Sequence, residues 1–177
     1  MIRLLPTIAA ACLLAAPAAA ELAVGADAPD FTAPAVLGDQ EFSFSLHEAL
    51  SKGPVVLYFY PAAFTPGCTV EAHDFAEATE AFAALGATVI GVSADGIDKL
   101  KEFSVSECRS KFAVASDADQ KIMTAYDAIL DKKPELADRT SYVISPEGKI
   151  LYVYTALDPE GHVDNTMSAV KTWKLSH

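Results

Sequence analysis

Two stretches of the chain are predominantly apolar. Val55 to Tyr60, bounded by prolines, and Ala87 to Ser93, preceded by Gly86, are short and rich in β-branched or aromatic residues. Such runs predict strands buried on both faces. Glu41 to Phe44 alternates polar with apolar and predicts a half-exposed strand, and Phe112 to Ala115 is a further strand candidate. Thr140 to Ser145 and Lys149 to Tyr154 flank Pro146-Glu-Gly148, the pattern of a hairpin with a Pro/Gly turn. Between these runs the apolar spacing changes to that of a helix. Phe75, Ala78, Phe82 and Leu85 form one stripe, Ile97, Leu100 and Phe103 a second, and Ile122, Ala125 and Tyr126 a third. Asp95 and Asp117 read as openers of the second and third helices, and Ser45 as the N-cap of a short helix ending near Gly53. A last helix is expected over roughly Val163 to Trp173, and Asp127 to Asp138 reads as a polar surface connection. Glu21 to Gln40, rich in Ala, Pro and Gly, reads as an extended arm. Strands alternating with helices, plus one late hairpin, predict an α/β domain with a mixed central sheet and helices on both faces.

Composition narrows the setting. Residues 1–20 have the order of an export signal: Arg3, then an apolar run from Leu4 to Leu14, then Ala18-Ala-Ala20 before Glu21. That run is too short for a membrane span of ~20 residues. Cleavage is therefore expected near Ala20, with export to a compartment such as the bacterial periplasm. Cys12 leaves with the signal, unless it is lipidated. Residues 21–177 then form one domain, large enough for a core. The net charge of −11 argues against nucleic acid or anionic membrane as a partner. An acidic chain without an obvious exposed apolar strand is compatible with a monomer. Cys68 and Cys108 are the cysteines that remain, and in an exported protein a pair suggests a disulfide, structural or catalytic.

The chemistry gathers after the first buried run. Pro61 ends the strand, Thr65 stands at an N-cap position and Pro66 at the first helical position. Cys68 then falls in the first turn, where backbone N–H groups lack intrahelical partners and the helix dipole is positive, which favours thiolate. Counting back along the stripe from Phe75 puts Glu71 and then Cys68 on the inward face. Pro61-x-x-x-Thr65-x-x-Cys68 resembles the peroxidatic loop of the peroxiredoxins. The longer Tyr58-Phe-Tyr-Pro-Ala-Ala-Phe-Thr-Pro-Gly-Cys-Thr-Val-Glu-Ala is similar to the Q-type (bacterioferritin-comigratory-protein) subfamily, and the likeness runs from about Gly25 to the C-terminus.

That resemblance implies a thioredoxin-like fold and a thiol-dependent peroxidase without metal or cofactor. It would act on hydrogen peroxide and small organic hydroperoxides and be recycled by a thioredoxin-like or small-thiol reductant. The expected catalytic residues are Cys68 as nucleophile, Pro61 and Thr65 in the loop, Glu71 one turn on, and Arg139. Arg139 opens the segment Arg139-Thr-Ser-Tyr-Val-Ile-Ser-Pro-Glu-Gly-Lys-Ile, which resembles the segment whose arginine completes the family's active site. A guanidinium offers two aligned donors, one for sulfur and one for a peroxide oxygen. A sulfenic acid on Cys68 must then be resolved. Many Q-type proteins carry the resolving cysteine five residues after the nucleophile, but here that residue is His73, ~140° round the helix from Cys68. Cys108, near the end of the following helix, is the expected resolver, as in some Q-type members. A one-cysteine enzyme with Cys108 inert stays open. The rival readings are a copper carrier using Cys68 with His73 or His162, and a non-catalytic domain stapled by Cys68–Cys108.

Overall fold

The computed structural model describes residues 21–177. The expected export signal and Cys12 lie outside the described residues. In chain order the elements are β1 (Thr32–Leu37), β2 (Gln40–Ser45), α1 (Leu46–Leu50), β3 (Val55–Phe59), α2 (Pro66–Ala84) and β4 (Thr88–Ser93). There follow α3 (Ile97–Ser106), β5 (Ala113–Ser116), α4 (Lys121–Ala125), β6 (Thr140–Ile144), β7 (Ile150–Thr155) and α5 (His162–Leu175). The strands form one mixed sheet in the order β2-β1-β5-β4-β3-β6-β7, with β3, β4 and β5 mutually parallel and the remaining pairs antiparallel.

The central strand shows why its sequence is apolar throughout. Side chains alternate across a strand, so Val55, Leu57 and Phe59 pack into the core on the side of α1 and α4. Val56, Tyr58 and Tyr60 enter the opposite core, shared by α2, α3 and α5. Both faces are covered, and a polar residue anywhere in the run would be buried. The side chain of Tyr58 stacks on Phe75 of α2 with ring centroids 4.3 Å apart, which presses the first half of α2 onto the sheet. That packing depends on Gly91 in β4, where an added Cβ would lie 2.7 Å from Tyr58 Cζ and 2.8 Å from its hydroxyl oxygen. Gly91→Ala should therefore destabilise the fold by about 1–3 kcal/mol, the usual cost of overpacking, read as a lower denaturation midpoint. An unchanged midpoint would contradict this packing.

Three expectations change. Thr32–Leu37 is a strand rather than an extended arm, pairing with β2 along its length but with β5 only at Ala35 and Val36. Pro34 falls outside the β5 pairing, so its missing N–H costs no ladder bond there. Asp95 does not cap α3, whose N-cap is Gly96. Its carboxylate instead accepts from Ala63 N–H at 2.7 Å, Ser93 Oγ at 3.0 Å and Lys99 Nζ at 2.7 Å. Thr65 holds the N-cap position of α2, but its hydroxyl makes no capping bond and donates to the Ala62 carbonyl at 2.9 Å. Asp117 does serve the start of α4, accepting from the backbone N–H groups of Ile122 and Met123.

Candidate active site

Pro61 follows β3, Thr65 stands at the N-cap position of α2, and Cys68 lies in its first turn. Asp95 anchors the intervening loop through Ala63 N–H, a tie that sequence reading missed because an Asp before a helix looks like a cap. Cys68 is 1% exposed and Glu71, one turn further, is fully buried. Arg139, 71 residues downstream of Cys68, enters β6 beside them. Its Nη2 lies 3.5 Å from Cys68 Sγ, its Nη1 donates to Glu71 Oε2, and its Nε donates to the Leu157 carbonyl at 2.9 Å.

Three anchors fix the plane of the guanidinium, so Nη2 has one direction in which to point. Gly67 makes the approach possible: a Cβ there would sit 3.0 Å from Arg139 Nη2 and 3.9 Å from Pro159 Cδ. Gly67→Ala should displace Nη2 from the sulfur, because the other two anchors prevent the side chain from yielding freely. We expect about a tenfold slower reaction of the Cys68 sulfur with an added electrophile, a misplacement effect well inside the range for a shifted reacting group. A wild-type rate constant would show that the close approach at Gly67 does not matter.

Burial pushes the Glu71 carboxyl up to about 8, against the opposing pull of the Arg139 guanidinium. Burial works against the charge on Arg139, yet Glu71 and Cys68 together hold its protonated form more firmly than usual. Behind Glu71 sits His162, the first residue of α5, also fully buried. Its Nδ1 lies 2.8 Å from Ser141 Oγ and 3.6 Å from Glu71 Oε1, and its Nε2 lies 3.0 Å from the Ala156 carbonyl oxygen. His162 and Ser141 thus belong to the same buried group, which their separate places in the sequence did not disclose.

Cys108 lies just past the end of α3 and is fully buried in the same core cluster as Cys68. Both thiols are free. Burial, with Glu107 adjacent, pushes the Cys108 thiol far up, so it rests protonated. The segment that carries it is strapped along α2. His73 Nε2 meets Glu107 at 2.9 Å, Arg109 meets Glu77 at 3.2 Å and Lys111 meets Glu80 at 3.0 Å. Arg109 and Ser110 are both left-handed, at φ 51° and 53°, a conformation that disfavours L side chains and is held here by its surroundings. The copper reading needs a histidine nitrogen for Cys68. His73 turns its Nε2 to Glu107, and both nitrogens of His162 are engaged, with Ser141 and with the Ala156 carbonyl.

The family model described as the AhpC/TSA family matches residues 24–153. Peroxiredoxin Q, chloroplastic, of Oryza sativa subsp. japonica is 34% identical over 149 residues, covering 84% of this chain and 66% of its own length. The chain thus spans just under two thirds of that relative. Peroxiredoxin Bcp of Xanthomonas campestris pv. campestris is 34% identical over 122 residues, covering 66% of this chain and 76% of its own. Among solved structures, peroxidoxin BcpB of Mycobacterium tuberculosis superposes with a TM-score of 0.76 at 31% identity, covering 84% of this chain and 96% of that one. Peroxiredoxin Q of Xanthomonas campestris superposes at 0.70 with 30% identity, covering 80% of this chain and 90% of its own.

Proposed function

The chain belongs to the AhpC/TSA family and is a peroxiredoxin of thioredoxin-like fold, and from that premise we propose that peroxide is reduced at Cys68. The sulfur attacks the terminal oxygen of hydrogen peroxide or a small organic hydroperoxide and the O–O bond breaks. With one proton taken up, thiolate and ROOH become sulfenic acid and ROH. The observation that carries this reading is the position of Arg139 Nη2, 3.5 Å from Cys68 Sγ. A donor there stabilises the thiolate and, as the S–O bond forms, the charge that develops on the leaving oxygen. Thr65 Oγ donates to Ala62, which leaves its lone pairs free to accept from the peroxide O–H. Pro61 closes the strand and sets the course of the loop.

Resolution follows by attack of Cys108 on the Cys68 sulfenic acid: an S–S bond forms, the S–O bond breaks, and the oxygen leaves as hydroxide or water. A disulfide needs Cα atoms about 4.4–6.8 Å apart, and two thiols buried on separate elements meet by local loosening of the α2 start and of the Cys108 strap. A dithiol of thioredoxin type or a small thiol then reduces the bond. The protein acts as an exported monomer, its first twenty residues removed near Ala20. Its export rests on the charge and apolar pattern of those residues. The N-terminal residue of the mature protein tests it, with Glu21 expected. For the peroxidase reading the test is peroxide consumption with excess thiol by wild type and by Cys68→Ser. Consumption should vanish in the variant, and equal rates would remove the proposal.

A further inference from the structure

Cys68 and Glu71 both meet one guanidinium, with His162 behind Glu71, in a region closed to water. Cys68 is 1% exposed, and the side chains of Glu71 and His162 are both 0% exposed. If Cys68 is a thiolate and Glu71 a carboxylate, two negative charges share Arg139 and the enclosed group carries a net charge of −1. An uncompensated buried charge is costly. The far side of Glu71 shows a second mismatch. Its Oε1 has no hydrogen-bond partner among the described residues, yet it lies 3.6 Å from His162 Nδ1. Nε2 of that ring faces the Ala156 carbonyl oxygen at 3.0 Å. A carbonyl can only accept, so Nε2 carries the hydrogen of the neutral ring, and the Nδ1 lone pair accepts from Ser141 Oγ at 2.8 Å. Glu71 Oε1 is therefore left as a buried acceptor that no donor faces.

We propose that Glu71 and His162 together hold one further proton, on Oε1 or on Nδ1, which neutralises that pair and leaves the charge of Arg139 to the Cys68 thiolate. Either placement removes the excess charge. With the proton on Oε1, the carboxyl is neutral while Oε2 still accepts from Arg139. With the proton on Nδ1, the imidazolium N–H donates to Ser141 Oγ, 2.8 Å away, and Glu71 balances its charge. The two sites titrate as one coupled unit. The charged and titratable groups acting on it are Cys68 and Asp74 from α2, Tyr58 from β3, Arg139 just before β6, and Asp158 from the connection before α5. Burial raises the carboxyl, while burial and Arg139 lower the ring, so the carboxyl is the favoured holder. His162 and Ser141 touch no substrate. They are positioning residues that act through Glu71 and Arg139.

The proposal rests on Cys68 being a thiolate in the resting enzyme, and its test separates the two. On the reduced wild-type protein at neutral pH, infrared difference spectroscopy reports a protonated Glu71, assigned by its loss in Glu71→Gln. Nitrogen-15 NMR reports a protonated His162 Nδ1. One of the two signals is expected. If neither is found, Glu71 is ionised beside a neutral ring and the proposal is overturned. Peroxide consumption that depends on Cys68 would still leave the peroxidase reading standing. His162→Phe removes the ring as a holder and makes the surroundings of Glu71 more apolar, so the proton must then sit on Glu71 and its infrared carboxyl signal is expected in full. Loss of that signal in a folded His162→Phe protein would refute the shared proton. A variant that does not fold leaves the proton count on the wild type to decide.

Discussion

Arg139→Lys should slow the reaction of Cys68 with peroxide by about 10²–10³-fold, the usual cost of losing one donor to charge developing in a transition state. The substitution keeps the positive charge and removes the geometry. The guanidinium makes three contacts in one plane, to Leu157 O, Glu71 Oε2 and Cys68 Sγ. An ammonium is a single point with three mobile hydrogens and cannot reproduce that set. Lysine is also the safer replacement. Alanine would leave Glu71 buried without its donor, a defect that confuses catalysis with folding. The readout is the second-order rate constant for peroxide under single-turnover conditions. A value within a few-fold of wild type would mean that the orientation of the guanidinium contributes little.

Cys108→Ser should abolish the intramolecular disulfide that one equivalent of peroxide generates and leave the sulfenic acid on Cys68. Further peroxide should then carry Cys68 on to sulfinic acid, which thiols do not reverse. In the reduced wild type the Cys108 thiol is buried and protonated, so it cannot attack until the strap opens, because the thiolate is the reactive form. Opening exposes Cys108 to solvent and removes the burial that holds its proton. Alkylation followed by mass measurement counts the thiols. Wild type should lose both after one equivalent of peroxide, and the variant should lose one without forming an internal bond. An unchanged disulfide yield is impossible with Cys108 replaced, unless the bond counted in wild type was never internal. Should wild type itself keep Cys108 free after oxidation, an external thiol resolves Cys68 and Cys108 is a core residue.

How much of this could be read from the sequence depended on how local each feature is. Cys68 and Glu71 share the inward face of α2 because helical spacing from Phe75 and Phe82 puts them there, and one turn of helix needs no tertiary information. The buried strands were legible for the same reason. Arg139 was legible only through the resemblance, since nothing in its own neighbourhood points to a sulfur 71 residues away. β1 was hidden by Pro34, which argues against a strand until its neighbour is known to pair only further along. Asp95 was misread because an Asp ahead of a helix is a good cap, and its acceptance from Ala63 N–H depends on two loops meeting. His162 and Ser141 belong to the start of a helix and the start of a strand. Each looks ordinary alone, and only the packing of α5 against β6 puts them behind Glu71. His73, half-exposed, anchors the Cys108 strap through Glu107, a contact that spacing could not supply.

The most direct measurement is the location of the oxygen after a single turnover. Cys108→Ser protein is treated with one equivalent of hydrogen peroxide, trapped with a 1,3-dione that reacts with sulfenic acids, and mapped by peptide mass spectrometry. The adduct should lie on the peptide carrying Cys68, with peroxide consumed in step. Consumption of peroxide with Cys68 still a free thiol would contradict the assignment of this sulfur as the group that takes the oxygen.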